Sequence, residues 1–272
     1  MRLRIYLAVT FGITWGCWWS LANLIPPGGS PTTAPAFMAL YLLGGFGPTI
    51  GAVVAVASTS QGNGRSDYLG RLLRWRVGIT WWVAACAIPV LFALGKEWIA
   101  VWAGGHAVTA SVLEPLAKVL VLFPTMIIGG GLEELGWRGV AQPEIERWFS
   151  RPVATLAVGV MWALWHVPLF HIHGVSQFGG NLPLFAVDVL ANAYLLAWLY
   201  GRTRSILLCV IAHAASNTAT AMGLVVSASD SALPLWIATL AKLLAAATLL
   251  AVTSWTRVPH PGDIDDSKTG DN

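Results

Sequence analysis

The chain has 272 residues, of which 56% are hydrophobic and only 11% charged, and its formal net charge is +3. A soluble domain carries about 25% charged residues. Here the apolar excess runs along the whole length, which excludes a soluble domain with one anchor and points to an integral membrane protein. No basic cluster has the density that phosphate binding needs, so nucleic acid is not an expected partner.

About 20 apolar residues cross a bilayer as a helix, and eight segments qualify: roughly 5–25, 37–58, 79–102, 113–141, 153–170, 182–200, 204–226 and 233–255. The first follows a basic start, but its apolar stretch is too long and too rich in Trp for a signal peptide, so it reads as an uncleaved span. Turn chemistry separates the segments, as in "PPGGSPTTAP", "SQGNGRSDYLGR" and "GGNLP". Residues 1–258 are expected to form the membrane domain and the polar tail 259–272 to be disordered. The predicted fold class is therefore all-α and polytopic, with about eight transmembrane helices. Cys17, Cys86 and Cys209 lie singly in apolar runs and read as small buried hydrophobes.

Thirteen of the sixteen Lys and Arg residues fall on one side of this arrangement. The positive-inside rule makes that side cytoplasmic, with both termini inside the cell membrane. Lys96 and Lys118 lie near the outer ends of their spans, where they can snorkel. Lys242 lies deeper, and the sequence offers no account of it.

Ionisable side chains at membrane depth are costly and mark function by default. The fourth segment ends in "GGGLEELGWRG", with Glu133, Glu134 and Arg138. If its helix stops at Gly131 these residues sit at the surface. If it runs on to Ala141, before Gln142–Pro143, Glu133 lies about 12 Å deep at 1.5 Å per residue. The second reading is preferred, with "PEIERWFSRP" as an interfacial segment that sets Trp148 and Phe149 against lipid. On the same scale His213 lies about 15 Å deep and His166 about 20 Å.

Glu134 and Arg138 are i and i+4, so they share a helix face and can pair, whereas Glu133 is rotated about 100° away. His213 and Asn217 repeat that spacing, as do Trp162 and His166. Each of these residues singly can serve as interhelical hydrogen-bonding glue; together they put polar faces on three helices at similar depth. Asp188 and Asn192 in the sixth segment read as a packing or hydrogen-bond feature. His171 and His173 fall at an outer edge.

A carboxylate near two imidazoles at low dielectric can activate water, and imidazole and amide N–H groups suit a developing oxyanion. The set therefore suits amide hydrolysis without a nucleophilic Ser or Cys. Ser216 lies off the His213–Asn217 face and is a poor nucleophile candidate. Glu133, His166 and His213 could also ligate Zn2+, although no HExxH is present.

"EELGWR" resembles the EExxxR motif of the CPBP family, the CAAX-protease and bacteriocin-processing intramembrane proteases that include the Rce1 type. "WALWH" is similar to that family's FxxxH motif, with Trp162 in the aromatic place, and "HAASN" to its HxxxN. The motifs occur in family order across about 113–226. The resemblance implies an intramembrane endopeptidase. It makes Glu133 the general base on water with His166 assisting, His213 and Asn217 the oxyanion pair, and Glu134–Arg138 a supporting ion pair. The family has been described both as zinc-dependent and as metal-independent, and these residues serve either scheme. The expected partners are the lipid bilayer and a substrate that is a peptide, a bacteriocin or a membrane-protein segment, prenylated or not. Two rivals stand beside this reading. One is a non-catalytic scaffold or immunity protein. The other is a proton-coupled transporter relaying through Glu133, Asp188 and Lys242.

Overall fold

A computed structural model of the protein describes residues 1–59, 64–108, 115–222, 226–228 and 232–254, so the tail 259–272 lies outside the described residues. In chain order the helices are α1 (Arg2–Leu24), α2 (Pro35–Gly45), α3 (Gly47–Thr59), α4 (Gly64–Leu72), α5 (Ile79–Trp102) and α6 (Pro115–Gly129). They continue with α7 (Glu134–Gly136), α8 (Gln142–Glu146), α9 (Arg151–Trp165), α10 (Leu182–Thr203), α11 (Ile206–Met222) and α12 (Leu233–Ser254). Among the described residues the one sheet is an antiparallel pair, β1 (His106–Val108) with β2 (Val226–Ala228).

Among the described residues, six helical stretches are long and apolar enough to cross a membrane, and a seventh if α2 and α3, bent by 51°, make one span. The apolar helix α11 is shorter, at 17 residues. The protein is an all-α, multi-pass membrane protein. Its outward faces agree: Leu91, Leu120 and Leu244 are 64%, 73% and 70% exposed, surface that only lipid would cover. Polar residues are turned inward instead.

Two expected continuous helices are broken. The segment 37–58 divides at Phe46 because Pro48 has no amide to give the Gly44 carbonyl. Thr14 Oγ1 of α1 donates to that oxygen at 2.7 Å and itself accepts from Trp165 Nε1 at 2.7 Å. The fourth segment does not stop before Gln142–Pro143 as the sequence suggests. It passes through a 3-10 turn (Gly131–Glu133), α7 and a π turn (Trp137–Ala141) into α8. Pro143 leaves the Gly139 carbonyl without its α-helical donor, and Arg71 Nη1 of α4 fills the place at 3.2 Å. Thr49 Oγ1 donates to Leu132 O at 2.8 Å, and Tyr68 Oη to Leu135 O at 3.0 Å. Irregular backbone inside a membrane protein must be satisfied by protein groups. Here three side chains from α3 and α4 supply them.

Packing centres on this irregular segment. α11 lies against α5 and α6, α10 against α9 and α12, and α1 against α2 and α3. Trp137 and Trp165 are fully buried, with ring centroids 6.4 Å apart, and Tyr6 meets Trp137 edge-on at 5.7 Å. Trp148 and Phe149, just beyond α8, are exposed.

Candidate active site

Glu133 closes the 3-10 turn and Glu134 opens α7, so the two are adjacent but face different partners, as successive residues of a helical turn do. Glu134 and Arg138 are both fully buried, and Arg138 Nη1 lies 2.9 Å from Glu134 Oε2. Arg138 Nη2 donates to the Ala193 carbonyl of α10 at 3.1 Å, and the guanidinium sits 5.2 Å from the centre of the Trp162 ring. A buried arginine costs several kcal/mol unless its charge and N–H groups are matched; this one meets a carboxylate, a carbonyl and an aromatic face.

The second oxygen of Glu134 has a partner that sequence spacing did not suggest. His213 Nδ1 lies 2.9 Å from Glu134 Oε1. A carboxylate paired with arginine is an acceptor, so Nδ1 carries the proton and donates. Nε2 of His213 is left to face the site. Gly130 shows where it points: a Cβ there would come within 3.3 Å of His213 Nε2 and 2.5 Å of Asn217 Nδ2. The i, i+4 pair on α11 thus converges on one backbone position, and only a residue without Cβ leaves room beside it.

Glu133 Oε2 accepts from Trp162 Nε1 at 2.7 Å, a buried bond between α9 and the 3-10 turn. His166 caps the C-terminus of α9, with Nδ1 2.8 Å from the Trp162 carbonyl. A carbonyl only accepts, so Nδ1 is the protonated nitrogen and Nε2 keeps its lone pair. The His166 ring is held edge-on by Trp165 at 4.6 Å and by Phe185 at 5.0 Å. The Trp162 ring also meets His213 edge-on at 5.1 Å. Glu133, His166 and His213 are all buried, at 7%, 9% and 6% exposed.

Ser216 stands apart from the Gly130 position. It borders, with His213 and Asn192, a cavity of ≈ 10 Å³, which is room for about one water and not for a substrate.

Asp188 and Lys242 prove to be partners. Lys242 Nζ lies 3.1 Å from both Asp188 oxygens, Lys96 Nζ lies 3.4 Å from Asp188 Oδ1, and Asn192 donates to Asp188 at 3.4 Å. Lys96 therefore turns inward to this cluster, which joins α5, α10 and α12, rather than snorkelling. Among the described residues no three His, Cys, Asp or Glu side chains gather as a metal-ligand set.

Thr49, Tyr68 and Arg71 support the site and carry no local signal in sequence. The one clue was Pro143, whose missing amide implies a donor from elsewhere at Gly139.

A family model for type II CAAX prenyl endopeptidase Rce1-like proteins matches residues 115–219, the stretch that holds all three motifs. The chain is also 25% identical to CAAX prenyl protease 2 of Methanococcus maripaludis, an alignment covering 77% of this chain and 80% of that protein. In both comparisons the chain is similar to CAAX prenyl endopeptidases of the Rce1-like type.

Proposed function

We propose that the protein is an intramembrane endopeptidase that hydrolyses a peptide bond by attack of water activated at Glu133. The observation that carries this reading is convergence on one residue, Trp162. Trp162 hydrogen-bonds Glu133, its carbonyl orients His166, and its ring edge meets His213. Three helical segments thereby bring a carboxylate, a free imidazole nitrogen and an imidazole–amide pair into one buried space.

Glu133 accepts a proton from water as the water oxygen bonds to the scissile carbonyl carbon. His166 Nε2, with its lone pair free, accepts a hydrogen bond from the same water and orients it. The negative charge that develops on the carbonyl oxygen meets Asn217 Nδ2–H and His213 Nε2–H beside Gly130. Because Nδ1 of His213 already donates to Glu134, a His213 that also donates from Nε2 is an imidazolium, and Glu134 is its counter-charge. Collapse of the tetrahedral species breaks the C–N bond, and the proton held by Glu133 passes to the leaving amine. Carboxylate, imidazole and amide suffice for every step.

The site lies in the cell membrane with both termini cytoplasmic, as the distribution of Arg and Lys directs. The named relative is a CAAX prenyl protease, so a prenylated CAAX peptide is the first substrate to try, beside unprenylated peptides. The test is cleavage of such a panel by purified protein in detergent, with and without a chelator. Cleavage that survives chelation supports the reading. Chelator-sensitive cleavage would replace it with a zinc scheme, and a folded protein that cleaves nothing would favour the scaffold.

A further inference from the structure

Resting on Glu133 as the base, we propose that Trp162 is the positioning residue that fixes the Glu133 carboxylate for catalysis. The side chain of Glu133 rises from a three-residue 3-10 turn, which does little to hold a rotamer. Its closest hydrogen bond is Trp162 Nε1–H to Oε2, at a length typical of strong bonds to charged acceptors, with the Trp137 side chain a further donor to the same carboxylate. That bond engages Oε2 and leaves Oε1 for the proton of the attacking water.

The indole is itself immobilised from several directions. The Arg138 guanidinium lies 5.2 Å from its ring centre, His213 meets it edge-on at 5.1 Å, and Trp137 lies 6.5 Å away. Rotating the indole would disturb the Glu134–Arg138–His213 system as well as Glu133. Trp162 thus couples the two glutamates, one through its N–H and the other, by way of Arg138, through its ring. A phenylalanine here would keep the aromatic wall and lose the donor. The tryptophan of "WALWH" is therefore a functional departure from the FxxxH pattern.

Two substitutions separate donor from wall: Trp162→Phe, and Trp162 replaced by 3-benzothienylalanine, which keeps the bicyclic shape and lacks the N–H. Both are expected to lower kcat about 10-fold, the order expected for losing one hydrogen bond to a charged group. KM should stay within about twofold, since the bond touches no substrate. The benzothienyl form should also keep the wild-type melting temperature, which separates positioning from folding. A benzothienyl enzyme with kcat within about twofold of wild type would overturn the inference, as would a loss confined to KM. Glu133→Gln in the same assay keeps the underlying reading separate: if that variant cleaves like wild type, the base is wrong whatever Trp162 does.

Discussion

His213 Nδ1 and Glu134 Oε1 lie 2.9 Å apart, 79 positions from each other in the chain. Glu134 therefore does more than neutralise Arg138; it also sets the proton position of the histidine that faces Gly130. The Glu134→Met variant should lose folded yield, because breaking a buried pair and leaving Arg138 costs about 3–5 kcal/mol. Replacing both partners with Met should restore yield, since apolar replacement of a buried pair is often neutral. The double variant should still cleave about 100-fold more slowly, the order seen when one oxyanion donor fails. A folded double variant with the wild-type rate would reduce Glu134 to a partner for Arg138 alone.

Arg71 has a comparable duty at the backbone. Removing its guanidinium by Arg71→Met orphans the Gly139 carbonyl, a loss of about 1–3 kcal/mol, and should lower the thermal midpoint by several degrees. Adding Pro143→Ala supplies the missing amide and should recover part of that loss. If the second change brings no recovery, the link between Pro143 and Arg71 fails.

Gly130 is a position where one methyl group decides. In Gly130→Ala the new Cβ would stand 2.5 Å from Asn217 Nδ2 and displace it from the site. Cleavage should fall by about 100-fold with the melting temperature little changed. Wild-type kinetics would show that this space is not where the carbonyl oxygen sits.

The cluster around Asp188 is assigned to stability. Asp188→Asn leaves Lys242, whose side chain is 4% exposed, facing a neutral amide. The melting temperature should drop while kcat in the remaining folded protein stays within about threefold. A stable variant that cannot catalyse would instead support a relay through Asp188 and Lys242.

Much of the site was legible because helical spacing is local. Four-residue intervals placed Glu134 with Arg138 and His213 with Asn217 on shared faces, and low charge density made each buried ionisable group conspicuous. Partners distant in sequence were not legible. Arg71 and Gly139 are 68 positions apart, and Lys242 and Asp188 are 54 apart; which of many cations reaches which acceptor depends on how the helices pack. The break at Phe46 and the passage through Pro143 were only half visible. Pro48 and Pro143 announced missing amides, but whether a helix ends or is repaired depends on Thr14 and Arg71 arriving from elsewhere. Lys96 was misplaced for the same reason: its distance from the span end was readable, its carboxylate partner was not.

The most direct measurement is cleavage by Glu133→Gln beside wild type, at matched folded concentration, on the best peptide of the panel. Glutamine preserves the shape and can still accept from Trp162, but it cannot take the proton from water. The variant should fold with the wild-type melting temperature and lose at least about 1000-fold in kcat, as removal of a general base implies. Cleavage by Glu133→Gln at the wild-type rate would contradict the division of labour between the two adjacent glutamates.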